Sequence, residues 1–330
     1  MRDIGARRLA SAILVVLVVG CGASQATPSA LEVGAVVSRP AASPEVLRGE
    51  ALLTEGEVPE AKRVFEEVLA ANPNDARAWL DYGLTHEAAD DWKSAEKAYR
   101  HATEVDRNFA EAFNNLGVVL RERGDLSEST KVLERAVALD PGLTAARFNL
   151  ALAYEEGGKL AEAEVQYLAT IDGLPNDPVP RINLAIMYLA MERSDDALEQ
   201  LRSVRPLVRD DVLLSIPVGA AFRRAGSPEE AVSVLSSALN RAAKPPPTEL
   251  LAELALAYYA SGNLDASEET MRRAIRQDEL DPALQYAYGS ILAKQGEVGK
   301  ARAHFRRAVT LDPDGPYAGR ARARLEALKR

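Results

Sequence analysis

The sequence predicts an all-α array of paired helices, and three observations predict it. The same order of small, aromatic, glycine, small and aromatic residues recurs every 34 positions, with units starting near residues 42, 76, 110, 144, 178 and 212. Further units start near 248 and 282, two residues late, and a half-unit starts near 316. A fixed period of this length marks a stack of supersecondary units. Alanine is abundant while aromatic residues make up only 5% of the chain, which suits closely packed helices better than sheets. Apolar residues at 47% and charged residues at 27% of the 330 residues exclude wholesale disorder.

Residues 1–20 read as an address. Arg2, Arg7 and Arg8 precede an apolar run from Leu9 to Val19 broken only by Ser11. Eleven helical residues rise about 16 Å, too little for a hydrocarbon core of roughly 30 Å, so the run reads as a signal peptide. Leu17-Val18-Val19-Gly20-Cys21 resembles the lipobox of bacterial lipoproteins. The resemblance implies cleavage before Cys21 and a covalent lipid on its thiol as the one attached group. The bland alternative is a plain signal peptide with an incidental cysteine, or an uncleaved anchor. Gly22 follows where, in enteric bacteria, an aspartate resembles an inner-membrane retention signal, so outer-membrane sorting facing the periplasm is expected. Residues 21–41 form the lipidated cysteine and a tether rich in Ala, Ser, Thr and Pro.

Residues 42–315 carry eight units. The eighth position of each is Gly49, Gly83, Gly117, Ala151, Ala185, Gly219, Ala255 and Gly289. The twentieth is Ala61, Ala95, Ser129, Ala163, Ala197, Ala231, Ser267 and Ala301. Gly56, Gly124, Gly158, Gly226, Gly262 and Gly296 stand at the turn between the two helices. Pro73, Pro141, Pro175 and Pro313 close the second helix. This pattern resembles the tetratricopeptide repeat (TPR), a helix-turn-helix unit of 34 residues. The resemblance implies a right-handed superhelical solenoid of about eight repeats, with helix A of each unit on the concave side. Repeats one to six span 42–247, repeats seven and eight 248–315, and residues 316–330 form a polar capping helix with Leu325 and Leu328 on one face. Pro217 falls inside helix A of the sixth unit and is expected to delay its start; 209–247, with Pro245-Pro246-Pro247, reads as the irregular point.

The sixth position of helix A faces the groove in the family. In units three to five it is Asn115, Asn149 and Asn183, an amide ladder suited to the backbone of an extended peptide. Leu80, Leu84, Val118, Phe148, Leu152, Ile182 and Ile186 are apolar residues at neighbouring groove positions, of which about half are expected to be core. The bland reading of the asparagines is a common consensus choice. Residues 42–109 hold 15 acids against 8 basic groups, whereas 294–330 hold 10 basic groups and 4 acids. Arg302, Arg306, Arg307, Arg320, Arg322 and Arg324 therefore form a candidate basic docking face, or simply a solvated cap.

Catalysis finds little material. One cysteine excludes an internal disulfide or thiolate zinc site, and three histidines, His86, His101 and His304, sit at consensus packing positions. A net charge of −9 argues against nucleic acid as a partner. No cofactor is expected. The reading is a non-enzymatic, membrane-anchored scaffold that binds one or more envelope proteins. It resembles TPR lipoproteins of pilus or secretion assembly, gliding motility and cell-wall machinery. The alternative is a periplasmic chaperone for many extended apolar clients.

Overall fold

The structure, a computed structural model, describes residues 39–329; Cys21, the apolar run before it and most of the tether lie outside them. Among the described residues there are 17 α-helices and no strand. The chain divides between Asn176 and Asp177 into two compact units.

The first unit holds four helix pairs. They are α1 (Pro44–Glu55) with α2 (Val58–Ala71), α3 (Ala76–Glu87) with α4 (Trp92–Val105), α5 (Ala110–Glu122) with α6 (Leu126–Leu139), and α7 (Thr144–Glu156) with α8 (Leu160–Gly173). The second unit holds α9 (Pro178–Ala190) with α10 (Ser194–Val204) and α11 (Val212–Arg224) with α12 (Pro228–Arg241). It continues through α13 (Thr248–Ser261) with α14 (Leu264–Gln277), α15 (Pro282–Lys294) with α16 (Val298–Leu311), and a last helix α17 (Pro316–Ala327). Odd-numbered helices through α15 are helix A of a repeat and even-numbered ones helix B.

Local chemistry sets the helix ends. Ser43, Asp75, Asp91, Asp177, Asp211, Asn263 and Asp281 each accept a bond from a backbone N–H in the first turn of the helix that follows. Between helices A and B the chain turns through a left-handed residue. Six turns use the expected glycines, with φ from 74° to 85°. In the second and fifth repeats the same place is held by Asp90 at φ 56° and Glu192 at φ 60°, side chains that strain this conformation.

Packing within a repeat explains the glycine column. A Cβ on Gly49 would come within 2.5 Å of the Phe65 ring, and one on Gly289 within 2.9 Å of Phe305. Gly83 meets Tyr99, Gly117 meets Leu133 and Gly219 meets Leu235 in the same way. The large side chain of helix B thus lies directly on the backbone of helix A. Where the small residue of helix B is a serine, its hydroxyl is used: Ser129 Oγ donates to the Gly117 carbonyl and Ser267 Oγ to that of Ala255, both at 2.7 Å.

The expectation that Pro217 delays its helix is not met. Helix α11 starts at Val212, where the Asp211 side chain accepts from the Leu214 N–H at 2.9 Å, and runs through Pro217 to Arg224. Pro217 lies inside the helix and removes one backbone donor, and the Asp211 cap secures the turn before it. Ser215 Oγ also reaches the carbonyls of Asp211 (2.7 Å) and Val208 (3.0 Å), tying the first turn to the preceding loop. At the far end Ala318 and Ala321 of α17 are buried, and Leu325 and Leu328 pack on the core built around Tyr288, Ile291 and Phe305.

Candidate peptide-binding face

The A-helix face of the first unit carries a continuous polar arrangement. At its start Arg77 on α3 grips Glu50 on α1 through two bonds, Nε–Oε1 at 2.6 Å and Nη2–Oε2 at 2.8 Å. Burial pushes the Glu50 carboxyl up, but the hydrogen bonds and charge of Arg77 outweigh it and hold the group below the ordinary glutamate range. Asp81, one turn along α3, is 3% exposed and its Oδ2 has no hydrogen-bond partner. Burial first, and the neighbouring Glu50 carboxylate second, push Asp81 up to about 8.

Further along, the amides join into a chain. Asn149 Nδ2 on α7 donates to Asn114 Oδ1 at 2.8 Å, and Asn114 Nδ2 on α5 donates to Asn115 Oδ1 at 3.0 Å. Within the second repeat the Tyr99 hydroxyl donates to Glu87 Oε2 at 2.7 Å. Burial raises both the Glu87 carboxyl and the Tyr99 phenol. The amides point in one direction, from Asn149 through Asn114 to Asn115, and leave Asn149 Oδ1 free to accept a bond. A similar buried pair, Tyr167 to Glu155 at 2.6 Å, lies within the fourth repeat.

The ten expected groove residues separate into two groups. Asn115, Asn149, Leu84, Val118 and Phe148 of the first unit, and Ile186 of the second, are partly accessible. Leu80, Leu152, Ile182 and Asn183 are not: each is at most 2% exposed, so these four belong to the packed interior rather than to an open surface. Leu80 joins the core of Tyr99, Phe109 and Leu116, because helix A buries a stripe wide enough to take in the edge of that face. Helix α9 buries almost its whole circumference, and both amide atoms of Asn183 lack a hydrogen-bond partner. The ladder of three equally spaced asparagines is therefore corrected to a two-repeat relay through Asn114. Asn114 was missed by sequence reasoning. Its signal was an amide in the column otherwise held by Leu80, Phe148 and Ile182.

At the basic end Arg306, Arg307, Arg320, Arg322 and Arg324 are exposed, Arg322 donating to the Pro313 carbonyl at 2.9 Å and Arg320 lying over the Tyr317 ring. Arg302 is half-buried and its Nε has no partner. The histidines pack as side chains: His304 Nδ1 shares a 2.7 Å bond with Gln285, His101 lies on Trp79, and burial lowers His86 beside Asp91. Among the described residues no group of three His, Cys, Asp or Glu is arranged to hold a metal, and no helix is long and apolar enough to cross a membrane.

A tetratricopeptide repeat family pattern matches residues 46–104, 83–144, 116–178 and 252–316, together more than half of the chain. The unmatched stretch between 178 and 252 takes in α9 to α12, where Pro217 and the proline linker fall. A tetratricopeptide repeat protein from Parabacteroides merdae ATCC 43184 is similar in structure, with TM-score 0.56 and 16% identity over 77% of this chain and 99% of that one. The crystal structure of the APC/C hetero-tetramer Cut9-Hcn1 is similar at TM-score 0.54 and 15% identity, covering 87% of this chain. This chain spans about 55% of the length of that one. No curated protein matches. The repeat pattern and the helix-turn-helix packing agree, and the chain belongs to the tetratricopeptide repeat family.

Proposed function

We propose that the protein is a non-enzymatic scaffold, anchored to a bacterial outer membrane by lipid on Cys21, that holds an extended segment of an envelope protein on the A-helix face of its first unit. Tetratricopeptide repeats imply a protein-interaction scaffold. The observation that carries the finer reading is the juxtaposition of the Asn149–Asn114–Asn115 relay with the accessible Val118 and Phe148. Amides satisfy a peptide backbone whatever its sequence, and two apolar side chains beside them take hydrophobic anchors. Burial of Leu80 and Leu152 shrinks the apolar area, which favours one or a few specific partners over a chaperone with many clients. The anchor rests on the lipobox-like Leu17–Cys21 stretch. Two or three acyl chains at about 0.8 kcal/mol per buried methylene make attachment durable.

The test is photo-crosslinking in the native cell from a reactive side chain at Phe148, with Ile186 of the second unit as a companion site. A dominant envelope protein is the expected product, and its identity names the machine, whether pilus, secretion, motility or cell-wall. A spread of unrelated clients would replace the scaffold with the chaperone. For the anchor, Cys21→Ser should release the protein from membranes; continued retention of that variant would refute lipidation.

A further inference from the structure

We propose that the cleft between the loop after α10 and helix α12, within the second unit, is a binding site for a small phosphomonoester. It shares no residue with the A-helix face described above.

Two arginine bridges hold its walls together. Arg205, which follows the last residue of α10, donates from Nη2 to Ser233 Oγ on α12 at 2.9 Å. Arg241, at the end of α12, reaches back the other way. Its Nη1 donates to the Arg209 carbonyl at 2.7 Å and to Ser237 Oγ at 2.8 Å. The loop is thereby pinned to α12 at two places four residues apart, and the space between them is a cleft of about 320 Å³. Ser215 of α11 also lines it, with its hydroxyl already bonded to the Val208 and Asp211 carbonyls.

The balance of donors and acceptors selects the ligand. Ser233 and Ser237 each accept from an arginine, which leaves both hydroxyl hydrogens to donate. Arg205 keeps Nε and Nη1 uncommitted, and Arg209, exposed at the rim, makes no side-chain hydrogen bond or ion pair among the described residues. On the acceptor side, Ser215 takes the Val208 carbonyl and Arg241 that of Arg209. No carboxylate lines the cleft, although the chain as a whole carries a net charge of −9. Asp211 is occupied by the Leu214 N–H, Glu230 by Arg202 at 3.1 Å, and Asp210 lies 3.6 Å from Arg241 Nε. Two guanidinium groups and two hydroxyl donors suit an oxyanion whose oxygens only accept. A phosphomonoester brings about −1.5 to −2 charges at pH 7 and three such oxygens. The cleft is at the small end of ligand pockets, about 300–1,000 Å³, and Pro206, Val208 and Val234 give it an apolar side for a short organic group.

The test is calorimetric titration of the purified full-length chain with glycerol 3-phosphate at fixed ionic strength, with inorganic phosphate, glycerol and acetate alongside. Glycerol 3-phosphate should saturate one site and bind more tightly than inorganic phosphate. Acetate, with one charge and two oxygens, should bind about tenfold more weakly or worse. Arg209→Gln should weaken glycerol 3-phosphate about tenfold or more, and Arg209→Lys should recover only part of the loss, because a point charge cannot grip two oxygens at once. Arg209 contributes no side-chain bond to the fold, so both variants should keep the wild-type circular dichroism. Arg320→Gln at the basic end should leave the affinity unchanged. No saturable binding, equal binding by acetate, full affinity in Arg209→Gln, or an equal loss in Arg320→Gln would each overturn the proposal. Vesicles form the last arm. A preference for phosphatidic acid over phosphatidylcholine that is lost in Arg209→Gln, without binding of glycerol 3-phosphate, would assign the cleft to a lipid headgroup and overturn the small-molecule site.

Discussion

Replacing Gly83 by alanine tests the packing rule on which the array is built. Alanine is the better helix former, by about 1 kcal/mol in an exposed helix. At Gly83 the added methyl would fall inside the ring of Tyr99, which is fully buried and cannot yield toward solvent. Relief requires the ring to swing away, which breaks its 2.7 Å bond to Glu87 and leaves the buried phenol unpaired. Overpacking costs about 1–3 kcal/mol and an unsatisfied buried group about 1–3 kcal/mol. Against a propensity gain of about 1 kcal/mol, the net loss is about 1–5 kcal/mol. Urea unfolding followed by circular dichroism reads the change, with native-state hydrogen exchange localising it, since repeat arrays need not unfold in one step. Gly319→Ala on α17 is the control: a Cβ there meets nothing within 4 Å, so alanine should stabilise by about 0.5–1 kcal/mol. If Gly83→Ala matched that control, the contact between helix B ring and helix A backbone would not be what demands glycine at this position.

Asp90→Gly and Glu192→Gly should each stabilise the protein by about 0.5–1 kcal/mol, read by thermal melting, because both residues hold a left-handed turn that glycine adopts freely. Asp81 has its folded pKa raised to about 8, so the fold binds a proton that the unfolded chain releases near its ordinary 3.8. Stability should therefore decline as pH rises from about 4 to 8. Asp81→Asn should flatten that decline in urea titrations across the window, and an unchanged slope would place its origin elsewhere. Asn114→Leu, which restores the apolar column of Leu80 and Phe148, should change stability by less than about 1.5 kcal/mol while reducing partner crosslinking from Phe148 severalfold.

The repeat register was legible because its determinants are local and periodic. Small residues at the eighth and twentieth positions, and glycine at the turn, recur every 34 residues, and each is required by contacts inside a single helix pair. The capping helix was legible for the same reason: Leu325 and Leu328 share one face among arginines. Pro217 was misread because a single lost donor near the start of α11 was weighed without the Asp211 cap and the Ser215 bonds that secure that turn.

The candidate face was legible only in outline. Asn115 and Asn149 were found from their place in the repeat, whereas Asn114 was hidden by expecting an apolar residue in its column. Sequence by itself determined the all-α repeat architecture and the register of its small residues and turn glycines, since these depend on neighbours at fixed separations along the chain. Tertiary structure decided that Leu80, Leu152, Ile182 and Asn183 are buried while Val118 and Phe148 stay accessible, and that Arg39 meets Glu111. Exposure and long-range pairing depend on which elements pack beside a residue, and equivalent positions of successive repeats do not share the same surroundings.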